Sequence, residues 1–363
     1  MQTSLKVKEK PQAGIEYPFA EPPAPGSVRK VAPGVFWLRM PLPFALDHIN
    51  LWLLADDDGW TIVDCGFGTD ETRDSWEKIF AGDLGGKPVK RILVTHFHPD
   101  HFGLAAWLAK RWNAKVHMTK PEFAAANALF DAEQLHRREA HAALFKLHGL
   151  ELPEPATAQR QNLFKRGVPQ LPTSIVPLKD AQTLSIDGRR WHVVTGYGHS
   201  PEHAALYCAE LNVLIAGDMV LPRISTNVSV QPAAPDADPL GRFLDSLTRY
   251  AELNADTLVL PSHGLPFYGL RERIEALKAH HAARLDELLV ACAAPHTGAQ
   301  MMSVMFKRPL DAHQMLFAMG ETLAHINYLH QRGHLARSSG EDGVYRYART
   351  QHVAAQGEKS AWH

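Results

Sequence analysis

The sequence predicts a mixed α/β (α+β) fold followed by a helical C-terminal unit. Three observations carry that prediction. Short apolar segments of strand character recur from Val35 to Leu260, and helix-forming stretches separate them. After Pro266 the composition turns helical, until strand-like residues return around a glycine-rich turn near the end. At 363 residues the chain can hold one large domain and a smaller one. A hydrophobic content of 45% and a charged content of 21% are those of an ordinary globular protein. The formal net charge of −1 supplies no field favouring nucleic acid or an anionic membrane.

The opening segment, residues 1–30, is rich in proline (Pro11, Pro18, Pro22, Pro23, Pro25) and reads as an extended arm. Regular structure is expected from Gly34. Strands are expected over Val35 to Met40 and Ile49 to Leu54. The turn Asp56-Asp57-Asp58-Gly59 then leads to a strand from Trp60 to Asp64. Arg91 to Thr95 is a short apolar run of buried-strand type. In Phe102 to Trp112, the spacing of Leu104, Trp107, Leu108 and Trp112 predicts a helix. From about 120 to 172 helix formers give way to prolines, and the stretch reads as a helical insertion. Strands resume at Ser174 to Leu178, Trp191 to Thr195, Ala204 to Cys208, Val213 to Ala216 and Thr257 to Leu260, with a helix at Leu240 to Leu253 before the last. The larger domain thus spans 31–266. In the unit 267–350, helices at Arg271 to Ala291, Met301 to Phe306 and His313 to Gln331 are closed by a β-hairpin, which suggests a winged helix-turn-helix. Residues 351–363 form a tail.

Histidine is abundant, at 21 residues, and is the commonest metal ligand. The decisive segment is Thr95-His96-Phe97-His98-Pro99-Asp100-His101, directly after a buried strand. Chance would supply roughly 0.004 copies of H-x-H-x-D-H in a chain of this composition. Three imidazoles and a carboxylate within six residues offer both N and O donors, which Zn²⁺ accepts. His96 and His98 are expected to share one metal, and Asp100 and His101 a second. Four ligands do not complete two sites. Three more candidates stand at later strand ends beside small residues: His199 in Gly198-His199-Ser200, Asp218 in Gly217-Asp218, and His263 in Ser262-His263-Gly264. Singly, each fits an ordinary loop. As an ordered set they point to ligation. His280, His281, His136, His141 and His148 read as solvated helix faces.

These residues resemble the metallo-β-lactamase superfamily, whose members share T-H-x-H-x-D-H, a later G-H-[ST], a G-D and a final His. The resemblance covers roughly Gly34 to Pro266, and Val63-Asp64-Cys65-Gly66 matches the family's early Asp-x-Gly motif. It implies an αββα sandwich with metals at one edge. It also implies one metal on His96, His98 and His199, a second on Asp100, His101 and His263, and Asp218 between them. Asp64 would support the ligand loop. The C-terminal part, Gly198 to His203 and Leu221 to Val228 are similar to the β-lactamase-like endoribonuclease branch with its winged-helix appendage. Metallo-β-lactamases proper typically place a cysteine in the second site. Here Asp218 stands at the bridging position, which argues against antibiotic hydrolysis.

The expected activity is that of a dinuclear metallohydrolase. Two neighbouring cations acidify a shared water toward neutrality and polarise the attacked group. Asp100 can orient the nucleophile; His203, four residues beyond His199, either reaches substrate or is a polar residue at a strand start. Two zinc ions are the default, with iron or manganese as alternatives. A small ester or thioester is the favoured substrate, because charge is near zero and the insertion can wall a pocket. Residues 271–350 hold ten Lys/Arg against eight Asp/Glu, too few for a strong nucleic-acid module. Single-stranded RNA cleavage is therefore the second reading, and a mononuclear iron sulfur dioxygenase the third. Three scattered cysteines, no apolar leader and no membrane-length run predict a soluble cytoplasmic protein, able to form oligomers.

Overall fold

The computed structural model describes residues 14–131, 134–152 and 163–350. Seven strands lie side by side in chain order as a first sheet: β1 (Arg29–Ala32), β2 (Val35–Pro41), β3 (His48–Asp56), β4 (Gly59–Val63), β5 (Val89–Leu93), β6 (Lys115–Thr119) and β7 (Val176–Leu178). β1 to β4 are antiparallel neighbours, whereas β4 to β7 run parallel. The second sheet has the order β12-β11-β10-β9-β8, from β8 (Thr183–Ile186), β9 (Arg189–Gly196), β10 (His203–Cys208), β11 (Val213–Gly217) and β12 (Leu258–Pro261).

The pleat sorts side chains to two faces with a period of two. In β2 and β3, Val35, Trp37, Trp52 and Leu54 point inward and meet Leu184, Trp191, Val193, Leu206 and Ile215 of the second sheet. Their alternates Leu38, Met40, Leu51 and Leu53 point outward. There they are covered by α1 (Asp70–Ala81), α2 (Pro99–Phe102) and α3 (Ala105–Trp112), through Trp76, Ile79, Phe102 and Leu108. α4 (Lys120–Asp131), α5 (Gln134–Leu147) and α6 (Leu163–Gly167) occupy the insertion. On the far face of the second sheet, Ala205, Leu214 and Ala216 pack under α7 (Pro239–Ala251) and α8 (Leu270–Ala291). Helix, sheet, sheet and helix thus stack as an αββα sandwich.

α9 (Gly298–Met305), α10 (Ala312–Gln331) and the hairpin β13 (Leu335–Ser339)–β14 (Tyr345–Arg349) complete the described chain. Met301, Met319, Leu323, Ile326 and Tyr347 share one continuous core with α7, α8 and the outer face of β11. Leu144 and Phe145, at the end of α5, join the same core. Asn327 Nδ2 donates to the carbonyls of Pro235 and Ala237, which fastens α10 to the loop before α7.

Several expectations need correction. The helix expected over Phe102 to Trp112 is two pieces broken at Gly103 and Leu104, where the Leu104 backbone N–H leaves the helical ladder for the Gly66 carbonyl at 3.2 Å. The described part of the N-terminal arm is packed: Ile15 is buried, and Glu16 exchanges backbone hydrogen bonds with Tyr268 at 3.2 and 2.8 Å. Regular structure begins at β1, before Gly34. α1, β6 and β8 come in addition to the expected elements. α1 carries an N-cap at Thr69 and acids at Asp70 and Glu71, which are readable signals of a helix start. The tail 351–363 lies outside the described residues. No helix among the described residues is long and apolar enough to cross a membrane.

Candidate metal centre

Strand ends from both sheets build the centre. The H-x-H-x-D-H segment leaves β5 and enters α2, and it is anchored by Asp64 at the end of β4. Asp64 adopts a positive φ of 62°, a conformation costly outside glycine. In return its carboxylate accepts from the Thr95 backbone at 2.8 Å, from Thr95 Oγ1 at 2.9 Å and from His101 Nδ1 at 2.8 Å. His199 follows β9, Asp218 follows β11 and His263 follows β12.

Hydrogen bonds on the far side of each ring fix which nitrogen faces inward. His101 Nδ1 donates to Asp64, His199 Nδ1 to the Asn227 carbonyl at 2.7 Å and His263 Nδ1 to the His48 carbonyl at 2.9 Å. Each Nε2 is therefore turned to the centre. His96 Nε2 lies 2.9 Å from His98 Nδ1 and 3.2 Å from His199 Nε2, and His199 Nε2 lies 3.3 Å from Asp218 Oδ2. In the second set, Asp100 Oδ2 is 3.6 Å from His101 Nε2 and 3.4 Å from His263 Nε2. Both of those nitrogens lie 3.5 Å from Asp218 Oδ1. One carboxylate thus gives an oxygen to each set.

The donor set fits two metal ions. Donors about 2.0 Å from a tetrahedral cation stand about 3.3 Å from one another, as these do. His101 Nε2 and Asp218 Oδ1 are buried and make no hydrogen bond, a cost that a shared cation would remove. Two groups of side chains could each hold a metal ion: His96, His98, His199 and Asp218, and Asp100, His101 and His263.

Electrostatics differ between the sets. Burial, reinforced by neighbouring imidazoles, pushes His96 well below the usual histidine range and His98 down to about 3. Burial also works against charge on His263, but Asp218 and Asp100 outweigh it and carry the imidazole up to about 10. His101 is raised in the same way, against burial, by Asp100, Asp64 and Asp218. Conversely His263 and His101 hold Asp218 well below the ordinary carboxylate range. Burial thus disfavours charge on His96 and His98, whereas the neighbouring carboxylates favour it on His101 and His263.

All seven expected ligands and Asp64 meet at this edge. His203 needs correction. It is fully buried behind the ligands, where Nε2 accepts from the Asp218 backbone N–H at 3.3 Å, so it faces Asp218 and not the opening. His148 and His281, expected on solvated faces, are buried: His148 Nδ1 meets Tyr347 Oη at 3.1 Å, and His281 Nδ1 meets His325 Nε2 at 3.1 Å. Sequence reasoning missed two polar residues beneath the centre. Asn50, buried in β3, donates to the Pro261 and Gly264 carbonyls on either side of His263. Glu122, buried at the start of α4, accepts from the segments carrying His98 and His199.

Comparison with known proteins agrees with this geometry. A solved β-lactamase domain protein from Burkholderia ambifaria is 51% identical and superposes with a TM-score of 0.86, covering 93% of this chain and 99% of that one. A probable metallo-hydrolase of Bacillus subtilis, YqjP, is 24% identical over 81% of this chain and 92% of its own length. A linear primary-alkylsulfatase of a Pseudomonas species is 26% identical over 61% of this chain. An atrochrysone carboxyl ACP thioesterase of Aspergillus fumigatus is 22% identical over 76%. The chain spans about half the length of these last two, 42% and 52%. Residues 285–350 match the metallo-beta-lactamase-like C-terminal domain. Residues 45–263, which hold every candidate ligand, match the Metallo-beta-lactamase superfamily: the chain belongs to that superfamily and is a metallo-hydrolase.

Proposed function

We propose that this enzyme is a dinuclear hydrolase of small ester or thioester substrates. The observation that carries the reading is Asp218, whose two carboxylate oxygens serve the two donor sets separately. His96, His98 and His199 would hold one ion, and Asp100, His101 and His263 the other. Zinc is the default for such N and O donors, with iron or manganese tolerated. When bound, such a pair supplies an acidified water and a Lewis acid for the attacked oxygen.

The chain's own residues then divide the work. Asp100 has 20% of its side chain exposed, against 10% for Asp218, so it borders the opening and can take a hydrogen bond from the attacking water. Asp64 and the His48 carbonyl hold the second set's rings in register. Exposed Phe44 packs edge-on against Phe67, just beyond the Asp-x-Gly turn, and Leu46 lies exposed in the same β2–β3 loop. Together they offer apolar surface for an acyl group. The thioesterase relative supports an acyl substrate, and the sulfatase relative an ester of a different acid. Three buried free cysteines fit a reducing, cytoplasmic setting.

The deciding experiment screens purified protein against ester, thioester, sulfate ester, phosphodiester and single-stranded RNA panels, with metal measured on the same batch. Carbonyl ester or thioester turnover with two ions per chain is expected. Salt-sensitive cleavage of RNA would move the enzyme to the endoribonuclease branch, with its C-terminal unit acting as a winged helix. A single iron with thiol-oxygenating activity would make it a sulfur dioxygenase.

A further inference from the structure

Glu122 is a fully buried carboxylate in the first turn of α4. Burying such a group is costly unless its oxygens are satisfied. They are satisfied from two directions. Oε2 accepts from the Phe97 backbone N–H at 2.9 Å, and Phe97 stands between His96 and His98. Oε1 accepts from Ser200 Oγ at 2.7 Å and from the Glu202 backbone N–H at 2.6 Å, and Ser200 is the neighbour of His199. Thr119 Oγ1, at the end of β6, adds a bond to the Glu202 carbonyl at 2.8 Å. The three imidazoles of the first set therefore come from two loops, one from each sheet, and a single carboxylate ties those loops together. None of the three bonds to Glu122 comes from a residue beside a second-set ring; His101 and His263 are held instead by Asp64 and the His48 carbonyl.

We propose that Glu122 is a positioning residue for the first metal site, holding the His96–His98 loop at the correct distance from His199 and so setting that site's metal affinity. The proposal rests on the two-metal reading above. It also gives the insertion a second role, because its first helix begins as a clamp on the centre.

The test is a Zn²⁺ titration against a chromophoric chelator. Wild type, His98→Ala and His263→Ala first identify the two sites by which equivalent each loses. Glu122→Gln keeps the volume but turns an NH₂ group toward backbone donors, and Glu122→Ala removes the clamp. Loss of a partner one step behind a ligand costs about 10- to 100-fold in metal affinity. We expect that loss at the first site alone in Glu122→Gln, with the second site unmoved. Ser200→Ala, which deletes one of the three bonds, should give a smaller loss of the same kind and carries the test if Glu122→Ala does not fold. Wild-type affinity in Glu122→Gln, or an equal loss at both sites with a lowered metal-free melting temperature, would overturn the assignment. A wild-type protein without two separable sites would instead overturn the metal reading itself.

Discussion

Two regions of this molecule bury histidines to the same depth with opposite results. At the sandwich edge, His96, His101 and His263 turn ring nitrogens toward a common space shared with Asp100 and Asp218. Between α5, α8, α10 and the C-terminal hairpin, His148, His281 and His325 are equally hidden, but each turns a ring nitrogen to a single local partner: Tyr347, His325 and the Glu321 carbonyl. Burial alone therefore does not make a ligand. Convergence on carboxylates does, and it is produced by strand ends rather than helix faces.

The strongest test of that contrast is at the edge. Asp218→Ala should cost both bound ions and His98→Ala one of them, each with about a 10³-fold or greater fall in hydrolysis, because several kcal/mol of Lewis-acid stabilisation disappear. Metal analysis beside turnover reads both effects. Retention of two ions and full turnover in both variants would break the comparison. Next comes Asp64→Ala, which strands the Thr95 backbone N–H and His101 Nδ1–H; metal affinity should fall about 10- to 100-fold.

A smaller effect belongs to the helical region. Burial holds His148 and His325 down to about 4, below the unfolded value of about 6.5. The unfolded chain thus takes up protons first on acidification. Stability from these residues is complete above pH 6.5 and lost as pH falls toward 4, by roughly 1.4 kcal/mol per pH unit for each. Urea unfolding of metal-free protein at pH 7.5 and pH 5 should show this loss, and His325→Gln should reduce the slope. His263 has the opposite sign: raised to about 10, it contributes fully below pH 6.5 and loses that contribution as pH rises through about 10. It therefore opposes the trend only above about pH 6.5, in the upper part of the measured range. Smallest is Asp311→Ala, which removes the capping box of α10 and should cost about 1 kcal/mol without altering metal content.

The contrast also explains what the sequence made legible. Ligand residues lie in short, dense motifs at strand ends, because alternating side chains and an adjacent small residue are what a metal needs there. His96 to His101 and the later trio could be read from that chemistry, and Asp64 only through the family resemblance. Glu122 could not, since its donors lie 25 and 78 residues away and nothing local distinguishes it from another helical acid. His148 and His281 misled for the related reason that a helix packed on several sides buries more of its circumference than a single apolar stripe announces. β6 is a short strand whose partners β5 and β7 are distant in the chain, whereas β8 joins β9 through the turn Asp187-Gly188, a hairpin signal that the sequence does carry.

The two sheets contribute ligands from facing edges, and what separates them is a layer of large aromatic rings. Trp37 stacks on Trp52 at 6.3 Å, and Trp191 fills the opposing face. These rings act as spacers for a jaw whose teeth are the ligands. Thinning the layer, as in Trp191→Ala, would let the jaw close or skew, so that a substitution touching no ligand could still detune the chemistry at the rim.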